Sequence, residues 1–141
     1  MGWAIGAAVG IARGNPRCPV VCITGDGSYL MSGQEITTAV DEKLPVIFVI
    51  LNDHAYGMVM HGQRLAGAEP IAYELTHVDF RRMAESIGIP AHLIEAPADF
   101  DQIDFPAMLA RKGPTLLDVR IDREEVPPMI LRLKTLGSVS A

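Results

Sequence analysis

A doubly wound α/β domain, with a parallel sheet and helices on both faces, is the fold that three observations predict. The strand candidates are short, unbroken apolar runs, the pattern of strands covered on both sides. Helical patterns alternate with them along the chain. Glycines, prolines and capping residues separate the two kinds of segment. With 141 residues there is room for about one domain, and 49% hydrophobic residues against 21% charged excludes a disordered chain.

The elements follow in order. Residues 2–13 have a helical pattern, and Gly14-Asn15-Pro16 stops it with a C-cap glycine and a proline. PVVCITG, 19–25, is short, β-branched and ends in glycine, so it is a buried strand. GQEITTAVDEK, 33–43, places Ile36, Ala39 and Val40 on one face of a helix. Pro45 opens VIFVILN, 46–52, the strongest strand pattern in the chain. A second amphipathic helix is predicted over 79–87 and a third strand over 91–96. FDQIDFPAMLARK, 100–112, is helical with a break near Pro106, its aspartates at 99, 101 and 104 favouring the helix start. TLLDVRID, 115–122, is the fourth strand. From Glu124 on, prolines and small polar residues predict an extended tail, which divides the chain into a domain at 1–123 and a tail at 124–141.

The first helix is apolar all round, and such a helix is buried all round. Gly2, Gly6 and Gly10 are spaced by four, so they line one face and admit another backbone. Interior glycines cost up to ~1 kcal/mol each, which close packing must offset. A domain of this size has little room to bury its own first helix, so further protein, from the same or another chain, is expected on top of it.

A formal net charge of −5, with basic residues scattered, argues against a nucleic-acid partner. No apolar run reaches the roughly 18 residues that span a bilayer, so no membrane partner is expected either. Cys18 and Cys22 lie within one extended run, about 13 Å apart at ~3.3 Å per residue, too far for a disulfide. They are expected as thiols of a reducing cytoplasm.

The sharpest local feature is Gly25-Asp26-Gly27-Ser28, where the first strand ends. Ligands of open α/β sheets bind beyond the carboxyl ends of strands. Glycines there let phosphate oxygens approach backbone N–H groups. A carboxylate among phosphates makes electrostatic sense when a cation bridges them, and Mg²⁺ takes carboxylates together with substrate phosphates. Asn52-Asp53 ends the next strand, after the 24 residues from 28 to 51, enough for a turn, a helix and a strand of one β-α-β crossover. Neighbouring strands lie roughly 5 Å apart, or ~10 Å with one between, so Asp26 and Asp53 can converge on one ion. Other glycine motifs do not fit. An EF-hand starting at Asp26 fails at Leu30 and Met31, a P-loop lacks its Gly-Lys-Ser/Thr, and a dinucleotide fingerprint lacks a glycine at 30.

Gly-Asp-Gly-Ser, 24 residues, then Asn-Asp and Ala55-Tyr56-Gly57-Met58-Val59 closely resembles the thiamine-diphosphate binding motif. The stretch from GDGSYLMSGQEITTAV to NDHAYGMV, with MGWAIGAAVG before it, looks like the diphosphate-binding domain of acetolactate-synthase-like enzymes, a thiamine-diphosphate-binding fold. The likeness is dense over roughly residues 1–60. It implies Asp26 and the Asp53 side chain as Mg²⁺ ligands, with the Ala55 carbonyl as a third. It implies Gly25, Gly27 and Ser28 against the diphosphate, Asn52 as part of the motif, and Tyr56, Gly57 and Met58 opening a helix whose N–H groups face the phosphates. Met1 matches the large apolar residue over which the family bends its cofactor.

Two departures are informative. Asn52-Asp53 stands where the family most often has Asn-Asn. Gly62 stands where acetolactate synthases carry a tryptophan of the acceptor pocket, which points to a related carboligase or decarboxylase with a different, bulkier substrate. His54 is read either as facing substrate or as a solvent-facing loop residue, and His61 as a candidate pocket residue. His77 and His92 are read as structural.

No residue here matches the glutamate that activates the cofactor's aminopyrimidine, which the resemblance assigns to a separate pyrimidine-binding domain. The expectation is therefore the C-terminal, cofactor-binding part of a homo-oligomeric enzyme acting on a small 2-keto acid, inactive alone and with no catalytic residue of its own. A two-chain decarboxylase is the alternative among enzymes. A non-catalytic Mg²⁺- or phosphate-binding module is the alternative of another class.

Overall fold

The computed structural model describes residues 1–126. Its elements are α1 (Trp3–Gly14), β1 (Val20–Gly25), α2 (Asp26–Ser32), a 3₁₀ turn (Gly33–Glu35), α3 (Ile36–Asp41), β2 (Val46–Asn52), α4 (Gly57–Leu65), α5 (Phe80–Ser86), β3 (Ala91–Ile94), a 3₁₀ segment (Pro97–Gln102), α6 (Phe105–Ala110) and β4 (Thr115–Arg120). The four strands form one parallel sheet in the order β1-β2-β4-β3. This is the predicted α/β class, with every predicted strand present. The tail expected over 124–141 lies, from residue 127 on, outside the described residues.

The strands alternate their side chains between two apolar layers, as pleated strands must. On one face Cys22, Phe48, Ile50 and Leu116 pack with Ile5, Ala8, Ala12, Tyr29, Ile36 and Phe80 from α1, α2, α3 and α5. Tyr29 meets Phe80 edge-on, with ring centroids 5.1 Å apart. On the other face Ile47, Ile94 and Leu117 pack with Ile103 and Met108 beside α6. That second layer covers one side of the sheet only. Val21 and Ile23, which stand in register with Ile47 and Val49, are 56% and 62% exposed.

Several local details differ from the sequence reading. The helix expected over 33–43 begins earlier and in pieces. Asp26 opens α2 directly, so Gly-Asp-Gly-Ser is a strand-to-helix junction instead of a separate turn. The stop after α1 uses Asn15 as the C-cap, with Gly14 still helical. The helix predicted over 100–112 is a 3₁₀ segment and α6, broken ahead of Pro106 because the Asp104 carboxylate accepts the Ala107 N–H and starts a new helix. Pro106 then sits in the first turn, where its missing N–H costs nothing. Asp79 caps α5 in the same way.

The first helix is not buried all round. Ile5, Ala8 and Ala12 face the sheet, whereas Trp3 is 77% exposed. A Cβ added at Gly6 or Gly10 meets no atom within 4 Å among the described residues. The expected close approach over these glycines is therefore not made among the described residues.

Candidate functional site

β1 and β2 are direct neighbours, with Gly25 in register with Leu51, so the segments that follow them emerge side by side at the carboxyl edge of the sheet. Asp26 is the first residue after β1 and is buried. Its Oδ1 accepts the Gly27 N–H at 2.7 Å, while its Oδ2 is buried with no hydrogen-bond partner among the described residues. Burial pushes its carboxyl above the ordinary range. The Gly27 N–H partly offsets this, the nearby Asp53 charge raises it further, and the N–H groups of His54 and Ala55 lower it. An unpaired buried oxygen of this kind costs stability unless something cationic or hydrogen-bonding meets it.

Asp53 begins the loop after β2. Its Oδ1 accepts the Ala55 N–H at 3.2 Å, and Asn52 Oδ1 accepts the His54 N–H at 3.3 Å, two consecutive Asx-type turns. They fold the backbone tightly enough that His54 takes a left-handed φ of 56°, which histidine adopts more readily than most residues. The Ala55 carbonyl accepts no hydrogen bond among the described residues. Two glycines make the approach possible. A Cβ at Gly57 would stand 2.7 Å from Asp53 Oδ2, and one at Gly27 would stand 2.6 Å from the Tyr56 ring.

α4 starts beside this loop with Tyr56 at its N-cap and no side chain capping it. The first free N–H groups are those of Gly57 and Met58, since the N–H groups of Val59 and Met60 both bond back to the Tyr56 carbonyl. Ser28 lies in the first turn of α2, where its Oγ accepts the Gly2 N–H at 2.9 Å and leaves its own proton to donate elsewhere. That bond brings the start of the chain, including the exposed Met1, to the same junction. Asn52 is buried, and its amide donates to Asp118 Oδ1 at 2.8 Å.

Among the described residues no three His, Cys, Asp or Glu side chains converge on one point. What stands at this edge is two neighbouring carboxylates, Asp26 and Asp53, and the unbonded Ala55 carbonyl, next to an open helix N-terminus. Such a set suits a hard cation that completes its shell with phosphate oxygens and water.

The chain matches the family model described as the C-terminal TPP binding domain of thiamine pyrophosphate enzymes over residues 1–119. It belongs to that family. Among curated relatives of this thiamine-pyrophosphate-binding domain, acetolactate synthase isozyme 1 large subunit of Escherichia coli K12 is 36% identical over 134 residues, covering 92% of this chain and 24% of the relative. Isozyme 2 of the same organism is 38% identical over 136 residues with the same coverage. Among solved structures, benzoylformate decarboxylase of Polynucleobacter necessarius superposes with a TM-score of 0.80 at 30% identity, covering 89% of this chain and 24% of that one. The 4-hydroxybenzoylformate decarboxylase of Rhodococcus jostii RHA1, described as thiamine diphosphate-dependent, gives the same values. The domain thus spans about a quarter of the length of these relatives, which are acetolactate-synthase-like and decarboxylase enzymes.

Other features of this thiamine-pyrophosphate-binding domain were not anticipated. The segment after α4 folds back over the site: the Tyr56 N–H donates to the Tyr73 carbonyl and the Leu75 N–H to the His54 carbonyl. His54 is half-buried. Its ring stacks on His77 at 4.0 Å and its Nε2 accepts Arg120 Nη1 at 2.6 Å. Burial, then Arg120, holds its imidazole below the usual range, consistent with a neutral acceptor. Arg123 donates to the Asp53 carbonyl at 2.9 Å. His61 is buried on α4. Asp118, Arg120 and Arg123 drew no attention in the sequence, although a lone acid in the apolar run TLLDVR is a signal of a buried polar contact. No helix among the described residues is long and apolar enough to cross a membrane.

Proposed function

We propose that this chain anchors Mg²⁺ and the diphosphate of thiamine diphosphate in a larger acetolactate-synthase-like carboligase that acts on 2-keto acids. The observation that carries the reading is the buried Asp26 Oδ2, left without a partner beside the Asp53 loop at the carboxyl ends of adjacent strands. Asp26, Asp53 Oδ2 and the Ala55 carbonyl are the proposed Mg²⁺ ligands. Gly25, Gly27 and Ser28, Tyr56 at the N-cap of α4 and the free N–H groups of Gly57 and Met58 are the proposed diphosphate contacts, and Met1 the apolar support of the cofactor. Asn52 serves from behind, by holding the loop.

Thiamine diphosphate, when bound, supplies the carbon nucleophile and electron sink that 2-keto acid chemistry requires. This chain's contribution is to neutralise and orient the diphosphate end through the metal and the helix N-terminus. A pyrimidine-binding domain, from the same or another chain of a homo-oligomer, is the proposed partner, so the chain alone is inactive. The free thiols Cys18 and Cys22 support a reducing, cytoplasmic setting.

A second reading, a 2-keto acid decarboxylase, is favoured by two observations. The superposed structures include two aryl-keto-acid decarboxylases. Gly62, on α4, has open space where a Cβ would be, which leaves room for a bulkier substrate.

The test is a calorimetric titration of the intact protein that carries this chain, with Mg²⁺ present, using thiamine diphosphate and inorganic pyrophosphate in turn. Thiamine diphosphate is expected to bind more tightly, and Asp26→Ala to weaken it at least about tenfold. Binding indifferent to both the thiazolium part and Asp26→Ala would leave only a non-catalytic phosphate-binding module.

A further inference from the structure

We propose that Asp118 is a positioning residue for the metal-binding loop, gripping it at two points; the proposal rests on the Mg²⁺–thiamine diphosphate reading above. Asp118 lies in β4, directly beside Ile50 of β2, and is fully buried. A carboxylate there is costly unless it is well bonded. Its Oδ1 accepts the Asn52 amide at 2.8 Å, and its Oδ2 accepts the Phe80 N–H at 3.2 Å and meets Arg120 Nη2 at 3.5 Å.

Both of the side chains it holds reach on to His54. Asn52 uses its other end, Oδ1, to accept the His54 N–H at 3.3 Å. Arg120 uses its other arm, Nη1, to donate to His54 Nε2 at 2.6 Å. The left-handed His54 is thus fixed through its backbone and its ring by one buried carboxylate. Its neighbours in the chain, Asp53 and Ala55, carry the proposed ligand oxygens, so the pose of His54 sets where those oxygens point. Partners behind a metal ligand act in this way, by narrowing the geometry the ligands can adopt.

The experiment compares Mg²⁺ with Ca²⁺ at saturating thiamine diphosphate in the intact protein, by calorimetry. Mg²⁺ demands near-ideal octahedral geometry, whereas Ca²⁺ tolerates longer and less regular bonds. Asp118→Asn keeps the volume but turns one arm into a donor facing other donors and releases Arg120. It is expected to lower Mg²⁺ affinity about tenfold and Ca²⁺ affinity less, so the Mg²⁺/Ca²⁺ ratio falls. The exchanged pair Asn52→Asp with Asp118→Asn reverses donor and acceptor between the two positions, restores that bond and is expected to recover much of the ratio. Arg120→Met, which cuts the second grip and leaves the first, is expected to lower the ratio partway.

Equal loss of both ions, or an unchanged ratio with a lowered unfolding temperature, overturns the role of Asp118 and leaves it structural. If Asp118→Asn yields no folded protein, Arg120→Met decides, a lowered ratio supporting the proposal and an unchanged one overturning it. Wild-type protein that binds neither ion with thiamine diphosphate overturns the cofactor reading itself, and this proposal with it.

Discussion

Asp26 shows how a single side chain can be set against the stability of its own fold. Its buried Oδ2 has no partner among the described residues, and its carboxyl is pushed up by burial. Replacing it with the neutral isostere, Asp26→Asn, is expected to stabilise the metal-free protein by about 1 kcal/mol while weakening Mg²⁺-dependent cofactor binding. Thermal unfolding without metal, paired with a cofactor titration, checks both signs. Gly57→Ala tests the neighbouring contact. The new methyl would stand 2.7 Å from Asp53 Oδ2, so the carboxylate must move, and Mg²⁺ affinity is expected to fall about tenfold in the same titration. Tyr29 sets an alkaline limit. Burial raises its phenol from 10.0 to about 12, so the unfolded chain loses that proton first. Its contribution is full below pH 10 and is lost as pH rises toward 12, a limb that Tyr29→Phe should remove from the stability profile. The motif residues were legible because Gly-Asp-Gly-Ser and Asn-Asp carry chemistry in adjacent positions. Asp118 was not, because a lone acid in TLLDVR signals a buried contact without naming its partner, and Asn52 lies 66 positions away.

At the scale of elements, the strands were legible from their apolar runs, and β2, covered on both faces, most clearly. The helices after β1 were less so. Residues 26–41 divide into α2, a 3₁₀ turn and α3, and the hydrophobic spacing alone does not mark those joints. The segment between α4 and α5 was silent, since its role is to pair two backbone groups with the loop at 54–56, which needs no particular side chains. α1 invites a direct test. Gly6 and Gly10 face open space with ordinary helical backbone, so Gly6→Ala and Gly10→Ala should each stabilise the isolated chain by about 0.5–1 kcal/mol. If that face receives another backbone in the intact protein, the same changes should weaken assembly there. Chemical denaturation of the chain and sedimentation of the intact protein separate the two effects.

Across the whole molecule, apolar surface is left over. Trp3, Ile11, Val21, Ile23 and Met31 are exposed together with Met1. Val21 and Ile23 lie on the sheet face opposite α1, so uncovered apolar side chains stand on both faces beside β1, and large exposed apolar surface of this kind marks interaction sites. Trp3 is the only tryptophan, so the isolated chain should fluoresce with the red-shifted emission of a solvated indole. A blue shift on addition of the proposed pyrimidine-binding domain would report the covering of α1, and an emission already blue in the isolated chain would contradict the exposed position of Trp3.

The sheet order carries one more consequence, in time instead of space. β4 is the last strand among the described residues, yet it sits inside the sheet, between β2 and β3. All the motif residues from Gly25 to Met58 leave the ribosome well before it does. Until residues 115–120 arrive, Asn52 has no Asp118 to bind and His54 has no Arg120, so a nascent chain holds the whole motif without the loop geometry. Non-local pairing of this kind forms late in folding. A chain ending before Thr115 should therefore fail to bind cofactor although every proposed ligand is present, which makes cofactor capture a signal that β4 has been made and has entered the sheet.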